Sequence, residues 1–583
     1  MEFRVWAPAA GQVRLRVDGR TLPMAAAGGG WWAAAAPGAG PGSDYGFLLG
    51  GDPTPLPDPR SRWQPAGVHG LSRVPYPLTW SDTAWTGRPL AGSVLYELHV
   101  GTFTPEGTFD AAARRLDHLV DLGVDAVELL PVNAFNGPHG WGYDGVDWYA
   151  VHEPYGGPAG LARFVDASHR AGLAVYLDVV YNHLGPSGGY LPRFGPYFHD
   201  DRLTTWGPAL NLDGPDSDPV RRHVIDNALM WLRDYHLDGL RIDAVHAFSD
   251  SRATPILAEL AADVAALSAH LRRPLSLVAE SDLNDAGLVT PPEAGGDGLH
   301  AVWNDDFHHA LHALLTGERQ GYYADFGSLD DFARTYRNVY FHDGRWSSFR
   351  RRHHGAPVDQ HRTPGHRFVV SLQNHDQIGN RATGDRLAAS LSPGLLQVGA
   401  ALLLTAPYTP MLFMGEEWAA STPWQFFTSH PEPELAATVA AGRRAEFAHH
   451  GWTGDVPDPQ DPATFRASVL NWTERDRPVH REVLDFHRAL LALRRSRPEL
   501  TDPRLDRVAV DADAGRRWLV VYRGPLRVAA NLAPEPQVIP LGRASDYAVL
   551  LSSASDADVV GDTVLLPGES VAVLEESRQK GNG

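Results

Sequence analysis

The stretch Gly160-Leu-Ala-Arg-Phe-Val-Asp-Ala-Ser-His-Arg-Ala171, and the run Ala174-Val-Tyr-Leu-Asp-Val-Val-Tyr181 just beyond it, decide the fold. The first sets apolar side chains at helical spacing along one face; the second is a short apolar run rich in β-branched residues, the pattern of a buried strand. The same alternation continues in both directions. Candidate strands are Ser93 to Val100, Ala126 to Val132, Ala174 to Tyr181, Gly239 to Val245, Ser276 to Ser281, Ala301 to Phe307, Phe368 to Asn374 and Thr409 to Met414. Between them lie helix-like segments such as Phe109 to Leu122, Gly160 to Ala171, Val220 to Tyr235, Thr254 to Leu271 and Leu395 to Thr405. Eight alternating units predict a closed (β/α)8 barrel of the α/β class over residues 86–502, completed by a helix over Val483 to Arg495.

The flanks read differently. Phe3-Arg-Val-Trp and Val13-Arg-Leu-Arg-Val alternate, and Gly28-Gly-Gly, Pro41-Gly and Pro53-Thr-Pro supply turns, so residues 1–85 predict a small β-sandwich, joined through a proline-rich linker from Pro75 to Pro89. Beyond the barrel, Arg517-Trp-Leu-Val-Val-Tyr, Leu526-Arg-Val-Ala-Ala-Asn and Ser570-Val-Ala-Val-Leu predict a C-terminal β-domain over 503–583, with Ser577 to Gly583 as a tail.

Composition removes several classes of function. A formal net charge of −19 with no Lys/Arg-rich run disfavours a nucleic-acid partner, and the absence of cysteine excludes disulfides and thiolate chemistry. Glu2 stands where a signal peptide carries its basic region, which predicts a cytoplasmic protein. The most apolar stretch, Val398 to Met414, contains Pro407 and Pro410 and reads as a buried helix followed by a strand rather than a membrane span. No membrane partner is expected.

Three acids mark the ends of apolar strands: Asp243 in Gly-Leu-Arg-Ile-Asp, Glu280 after Leu-Val-Ala, and Asp376 in Gln-Asn-His-Asp. By the strand count they end the fourth, fifth and seventh strands, on the rim where barrels of this kind carry their chemistry. A buried carboxylate is costly unless paired, so three of them predict one shared polar site. Two carboxyls at a barrel mouth suit double displacement at a glycosidic bond, provided that one is ionised and the other protonated. Arg241 lies two positions before Asp243 and therefore on the same face of the strand, which keeps Asp243 ionised and nucleophilic; Glu280 has no neighbouring cation and suits the acid with a raised pKa.

The segments Asp178-Val-Val-Tyr-Asn-His183, Gly239-Leu-Arg-Ile-Asp243, Glu280 after its strand and Asn374-His-Asp376 resemble, in order, the four short regions of the α-amylase family of glycoside hydrolases. That resemblance implies Asp243 as nucleophile, Glu280 as general acid/base and Asp376 as transition-state stabiliser. It also implies that His183, Arg241 and His375 surround the sugar in the cleaved subsite and that Tyr143, in Gly-Trp-Gly-Tyr-Asp144, stacks on it. Asp144, His246, Gln377 and Asn380 join the expected substrate-binding set. Longer segments, among them Tyr96-Glu-Leu-His-Val-Gly-Thr-Phe-Thr-Pro and Met414-Gly-Glu-Glu-Trp, are similar to the members that release trehalose from trehalose-capped maltooligosaccharides. The substrate so implied is maltooligosyltrehalose or a related α-glucan, with no cofactor. A branching or debranching enzyme with the same acids is the alternative, and a non-catalytic glucan-binding protein on the same fold a further one.

Two features depart from a plain α-amylase. Asp243 is followed by Ala-Val-His246 in place of a Lys-His pair, and the sixth strand ends in Asn304-Asp-Asp-Phe-His-His309. Asp305, Asp306, Phe307, His308 and His309 are therefore expected on the leaving-group side. Asp305 and Asp306 also suit a helix N-terminus, and Tyr143 also suits a core aromatic. The His308-His309 and His353-His354 pairs lack further ligands at metal-site spacing, and Asn182, at a position that binds calcium in some α-amylases, lacks an acidic calcium loop, so no metal is expected.

Overall fold

The computed structural model describes residues 1–449, 455–543 and 545–577. Eight parallel strands close in chain order: β1 (Leu95–Leu98), β2 (Ala126–Leu129), β3 (Ala174–Val179), β4 (Gly239–Ile242), β5 (Ser276–Ala279), β6 (Ala301–Trp303), β7 (Phe368–Ser371) and β8 (Thr409–Phe413), which pairs back onto β1. Their inward residues stack in layers. Leu95, Ala126, Tyr176, Val278, Ala301, Val369 and Met411 pack together below the mouth. Side chains alternate along a strand, so the positions two residues on, Glu97, Glu128, Asp178 and Arg241, enter the next layer toward the mouth. Register sets them side by side: Glu97 opposite Glu128, and Asp178 opposite Arg241. The bulk of Tyr176 is accommodated by Gly239, where an added Cβ would lie 2.2 Å from its ring.

Helices Gly157–Arg170, Ser217–Asp234, Ile256–Leu271, Asp305–Thr316, Pro393–Leu404 and Pro478–Ser496 pack around the barrel. Three expectations are corrected. The predicted helix Phe109 to Leu122 is two helices, Phe109–Ala113 and Leu116–Leu122. The connection from β5 to β6 carries only the 3₁₀ turns Ala286–Val289 and Pro292–Ala294, because Pro291, Pro292 and the glycines around them interrupt any helix. The sixth strand stops at Trp303, since the Asn304 side chain caps helix Asp305–Thr316 by accepting from the Phe307 N–H at 3.3 Å. The apolar run from Val398 to Met414 forms most of helix Pro393–Leu404 and then β8, and among the described residues no helix is long and apolar enough to cross a membrane.

At the N-terminus, the sheet Glu2–Trp6, Trp31–Ala35, Ala25–Gly28 and the sheet Arg20–Pro23, Val13–Val17, Asp44–Leu49, Ser72–Arg73 enclose Phe3, Val5, Val13, Leu15 and Phe47. This sandwich docks on the loop after β3 through Trp6 against Tyr197 and Phe47 against Phe194, with ring centroids 5.4 and 6.3 Å apart. The C-terminal strands form one five-stranded and one three-stranded sheet around Val520, Ala529, Ile539, Val564 and Leu574. Residues 578–583 of the predicted tail lie outside the described residues.

Candidate active site

The strand ends converge at the barrel mouth. On β4, Arg241 is fully buried, its guanidinium carbon 4.4 Å from the centre of the Trp303 ring. Its Nη1 donates to both carboxylate oxygens of Asp178 at 2.9 and 2.8 Å and to Asp243 Oδ1 at 2.7 Å. Asn182 Nδ2 donates to the other oxygen of Asp243 at 2.7 Å. Both oxygens of Asp243 are thus held, one by a guanidinium, and the carboxyl group is fixed in direction. Asp178 is pushed up to about 6 by burial, with Arg241 acting against the rise.

Glu280, just past β5, is set differently. Burial raises its carboxyl to about 8; Arg241 opposes this, and the negative charges of Asp243, Asp376 and Asp305 add to it. Arg241 Nη2 stands 3.6 Å from Glu280 Oε2, beyond hydrogen-bonding reach. The partner that Oε2 does have is the backbone N–H of Ala244, whose φ of +42° aims it across from β4. A left-handed alanine costs on the order of 1 kcal/mol, offset here by fixing the acid.

Asp376, in the first turn of the short helix His375–Gly379 after β7, is the most open of the three, with 39% of its side chain exposed. The buried His375 beside it places Nε2 3.5 Å from Asp376 Oδ2 and 2.7 Å from Tyr143 Oη, and its ring stacks on Tyr143 at 5.2 Å. Tyr143 O–H donates to Asp178 at 2.5 Å. His183 is held by Asn182 and by the Tyr143 carbonyl, and its ring stacks on Trp206 at 5.5 Å. From His183 and Trp206 a cleft of about 1030 Å³ extends to Pro8 and Ala9 of the N-terminal sandwich.

Residues 76–193 match the family described as alpha amylase, catalytic domain, and residues 503–573 match a domain of unknown function, DUF3459. The chain is 57% identical to the malto-oligosyltrehalose trehalohydrolase of Arthrobacter ramosus over 98% of this chain and 99% of that one. It is 54% identical to that of Mycobacterium tuberculosis, again over 98% and 99%. The chain belongs to the malto-oligosyltrehalose trehalohydrolase family. A Salmonella typhimurium structure described as a candidate alpha amylase superposes with a TM-score of 0.90 at 39% identity, covering 99% of this chain and 97% of that one.

The remaining residues predicted for this trehalohydrolase-family site divide into two groups. Asp305 starts its helix half-buried near the three acids; burial, then Asp376, Asp306 and Asp282, push its carboxyl to about 7. His246 is exposed on the turn after β4, Asp144 stands 3.8 Å from His430, and Asn380 Nδ2 lies 3.4 Å from Asp376 Oδ1. The half-buried Gln377 sits in the same turn as Asp376, its N–H capped by Asn374. Phe307, His308 and His309, by contrast, point into the protein. Phe307 is fully buried among Phe332, Tyr336 and Tyr408, His308 stacks on His312, and His309 stacks on Tyr322. The reason is helical geometry: from Asp305 onward the chain turns about 100° per residue, so a contiguous segment cannot all face the cleft. Asp306 is also turned inward, accepting from Asn284 Nδ2 and from the N–H groups of Phe341 and His342 at 2.9, 2.9 and 2.8 Å.

Sequence reasoning missed Glu97, Trp303 and the Ala244 N–H as parts of the site. Glu97 carried a signal, a carboxylate within an apolar strand, whereas the other two are set by register and backbone conformation. Among the described residues no group of three or more His, Cys, Asp or Glu side chains is arranged to hold a metal ion.

Proposed function

We propose that this protein is a retaining glycoside hydrolase that cleaves the α-1,4 bond between a maltooligosaccharide and a terminal trehalose. The observation that carries the chemistry is the contrast between two neighbouring acids: Asp243 is hydrogen-bonded to a guanidinium, and Glu280 is raised to about 8. In this reading Asp243 attacks the anomeric carbon while Glu280 gives its proton to the departing trehalose oxygen. Glu280 then takes a proton from the water that displaces Asp243, restoring both groups. Asp376, with 39% of its side chain exposed, offsets positive charge on the ring in the transition state, and His183, His375 and Tyr143 hold the sugar. In the same reading Asp305 serves the leaving-group side, and His246 joins the substrate-binding set. The trehalose assignment and the glucan are both supported by family membership, the relatives being malto-oligosyltrehalose trehalohydrolases.

Incubation with maltooligosyltrehalose and, separately, with a branched glucan tests the reading. Free trehalose is the expected product of the first. Altered α-1,6 linkages in the second, without trehalose, would instead indicate a branching or debranching enzyme; no turnover of either would indicate a binding protein.

A further inference from the structure

Glu97 lies in mid-strand on β1, buried, and both of its carboxylate oxygens contact one residue. Oε1 is 2.6 Å from His375 Nδ1, and Oε2 accepts from the His375 backbone N–H at 2.9 Å. Among the described residues no other side chain hydrogen-bonds both the ring and the main chain of His375. On the far side of the ring, Nε2 meets Tyr143 Oη at 2.7 Å, and the single phenolic proton of Tyr143 goes to Asp178. Tyr143 is therefore the acceptor for an Nε2–H, and Glu97 Oε1, 2.6 Å away, is the acceptor for an Nδ1–H. Proton counting leaves His375 with hydrogens on both nitrogens, an imidazolium.

We propose that Glu97 is a positioning residue for the reaction assigned above, holding His375 as an imidazolium beside Asp376 and the sugar. The inference rests on that functional reading. It adds a second fixed cation to a mouth in which, among the described residues, Arg241 is the guanidinium beside Asp178, Asp243 and Glu280. The groups around the His375 ring agree with it. Burial opposes the charge, but Asp376 on its own helix and Glu97 from β1 outweigh burial and Arg241, raising His375 to about 9. His99, at the end of β1, is lowered to about 3 by burial and stays neutral, and Trp141 and Trp303 present rings. Glu128, the cross-strand neighbour of Glu97, is raised to about 8 by burial and by Glu97, so it is largely neutral at pH 7.

The test is Glu97→Gln in the full chain, which keeps shape and removes charge, with Glu97→Asp as the conservative variant. kcat and KM for trehalose release are measured from about pH 5 to about pH 10. In the wild type Glu280 loses its proton before His375, so Glu280 sets the alkaline limb. In Glu97→Gln the order reverses: the limb falls by about two units, kcat at pH 7 drops about tenfold with KM little changed, and activity returns as pH is lowered. Glu97→Asp restores part of the limb. A merely structural role would lower activity at every pH alike, and that result, or an unmoved limb, overturns the proposal. If Glu97→Gln does not fold, an unmoved limb in Glu97→Asp overturns it. A wild type that releases no trehalose refutes the functional reading instead.

Discussion

Glu280 gives the most demanding quantitative prediction. With its carboxyl at about 8 it is roughly nine-tenths protonated at pH 7 and roughly one-tenth protonated at pH 9, so kcat/KM should fall about tenfold across that interval. At the ordinary value of 4.5, only about one molecule in 300 would carry the proton at pH 7. Burial therefore contributes on the order of 300-fold in competent enzyme. Glu280→Gln removes both the proton and the limb: activity should fall by about 10²–10⁴ and become flat with pH on the alkaline side. The same burial costs stability. Because the folded value lies above the unfolded one, stability is fully present below about 4.5 and is lost as pH rises through about 8. Glu280→Gln should accordingly melt above the wild type at pH 8, by up to a few kcal/mol, with the gap closing below about pH 4.5. Trehalose release across the pH range, paired with thermal unfolding, measures both. An alkaline limb below about pH 6, or one that survives in Glu280→Gln, would refute the reasoning.

Three further substitutions separate the roles. Asp243→Asn leaves Arg241 its contact to Asp178 and should keep the fold while lowering trehalose release by about 10⁴ or more, read as initial rate against thermal melting. Tyr143→Phe keeps the ring on His375 but deletes the hydroxyl between His375 and Asp178; a kcat loss of about tenfold or more without a comparable rise in KM is expected from steady-state kinetics. Asp306→Asn should act on stability, by about 1–3 kcal/mol, with kcat nearly unchanged. Although burial raises it, hydrogen bonding to His342 holds the Asp306 carboxyl below its ordinary 3.8, so its contribution is present above 3.8 and lost as pH falls through the folded value. His342, raised above 6.5 chiefly by Asp306 against the pull of burial, contributes fully below 6.5 and loses that contribution as pH rises through its folded value. The melting deficit of Asp306→Asn should therefore be greatest between about 3.8 and 6.5.

The barrel was legible because each strand is a short apolar run and the strands recur with helical segments between most of them. That Asp243 and Glu280 come together was legible for a related reason: a carboxylate ending such a run has to be paired, and Arg241, two residues before Asp243 on the same face, does hydrogen-bond it; that the same guanidinium also stands 3.6 Å from Glu280, which the sequence shows without a neighbouring cation, depends on the register of β4 and β5. Segment-level reading failed where the chain changes conformation. Asn304 ends β6 and starts a helix, so Phe307, His308 and His309 turn into the core while Asp305 stays near the acids. The Ala244 N–H is a backbone group, and its contact with Glu280 depends on a positive φ that no side chain announces. Glu97 sits in a quoted segment, yet its clasp on His375 joins β1 to β7, neighbours of the same β8 but far apart along the chain.

The central claim, double displacement that frees trehalose, is tested most directly by following maltooligosyltrehalose with the wild-type protein by ¹H NMR from the first turnovers. The account predicts that the symmetric anomeric signal of free trehalose grows together with the α-anomer of the maltooligosaccharide, before mutarotation supplies the β-anomer. A β-anomer appearing first, or maltooligosaccharide released without trehalose, would contradict it.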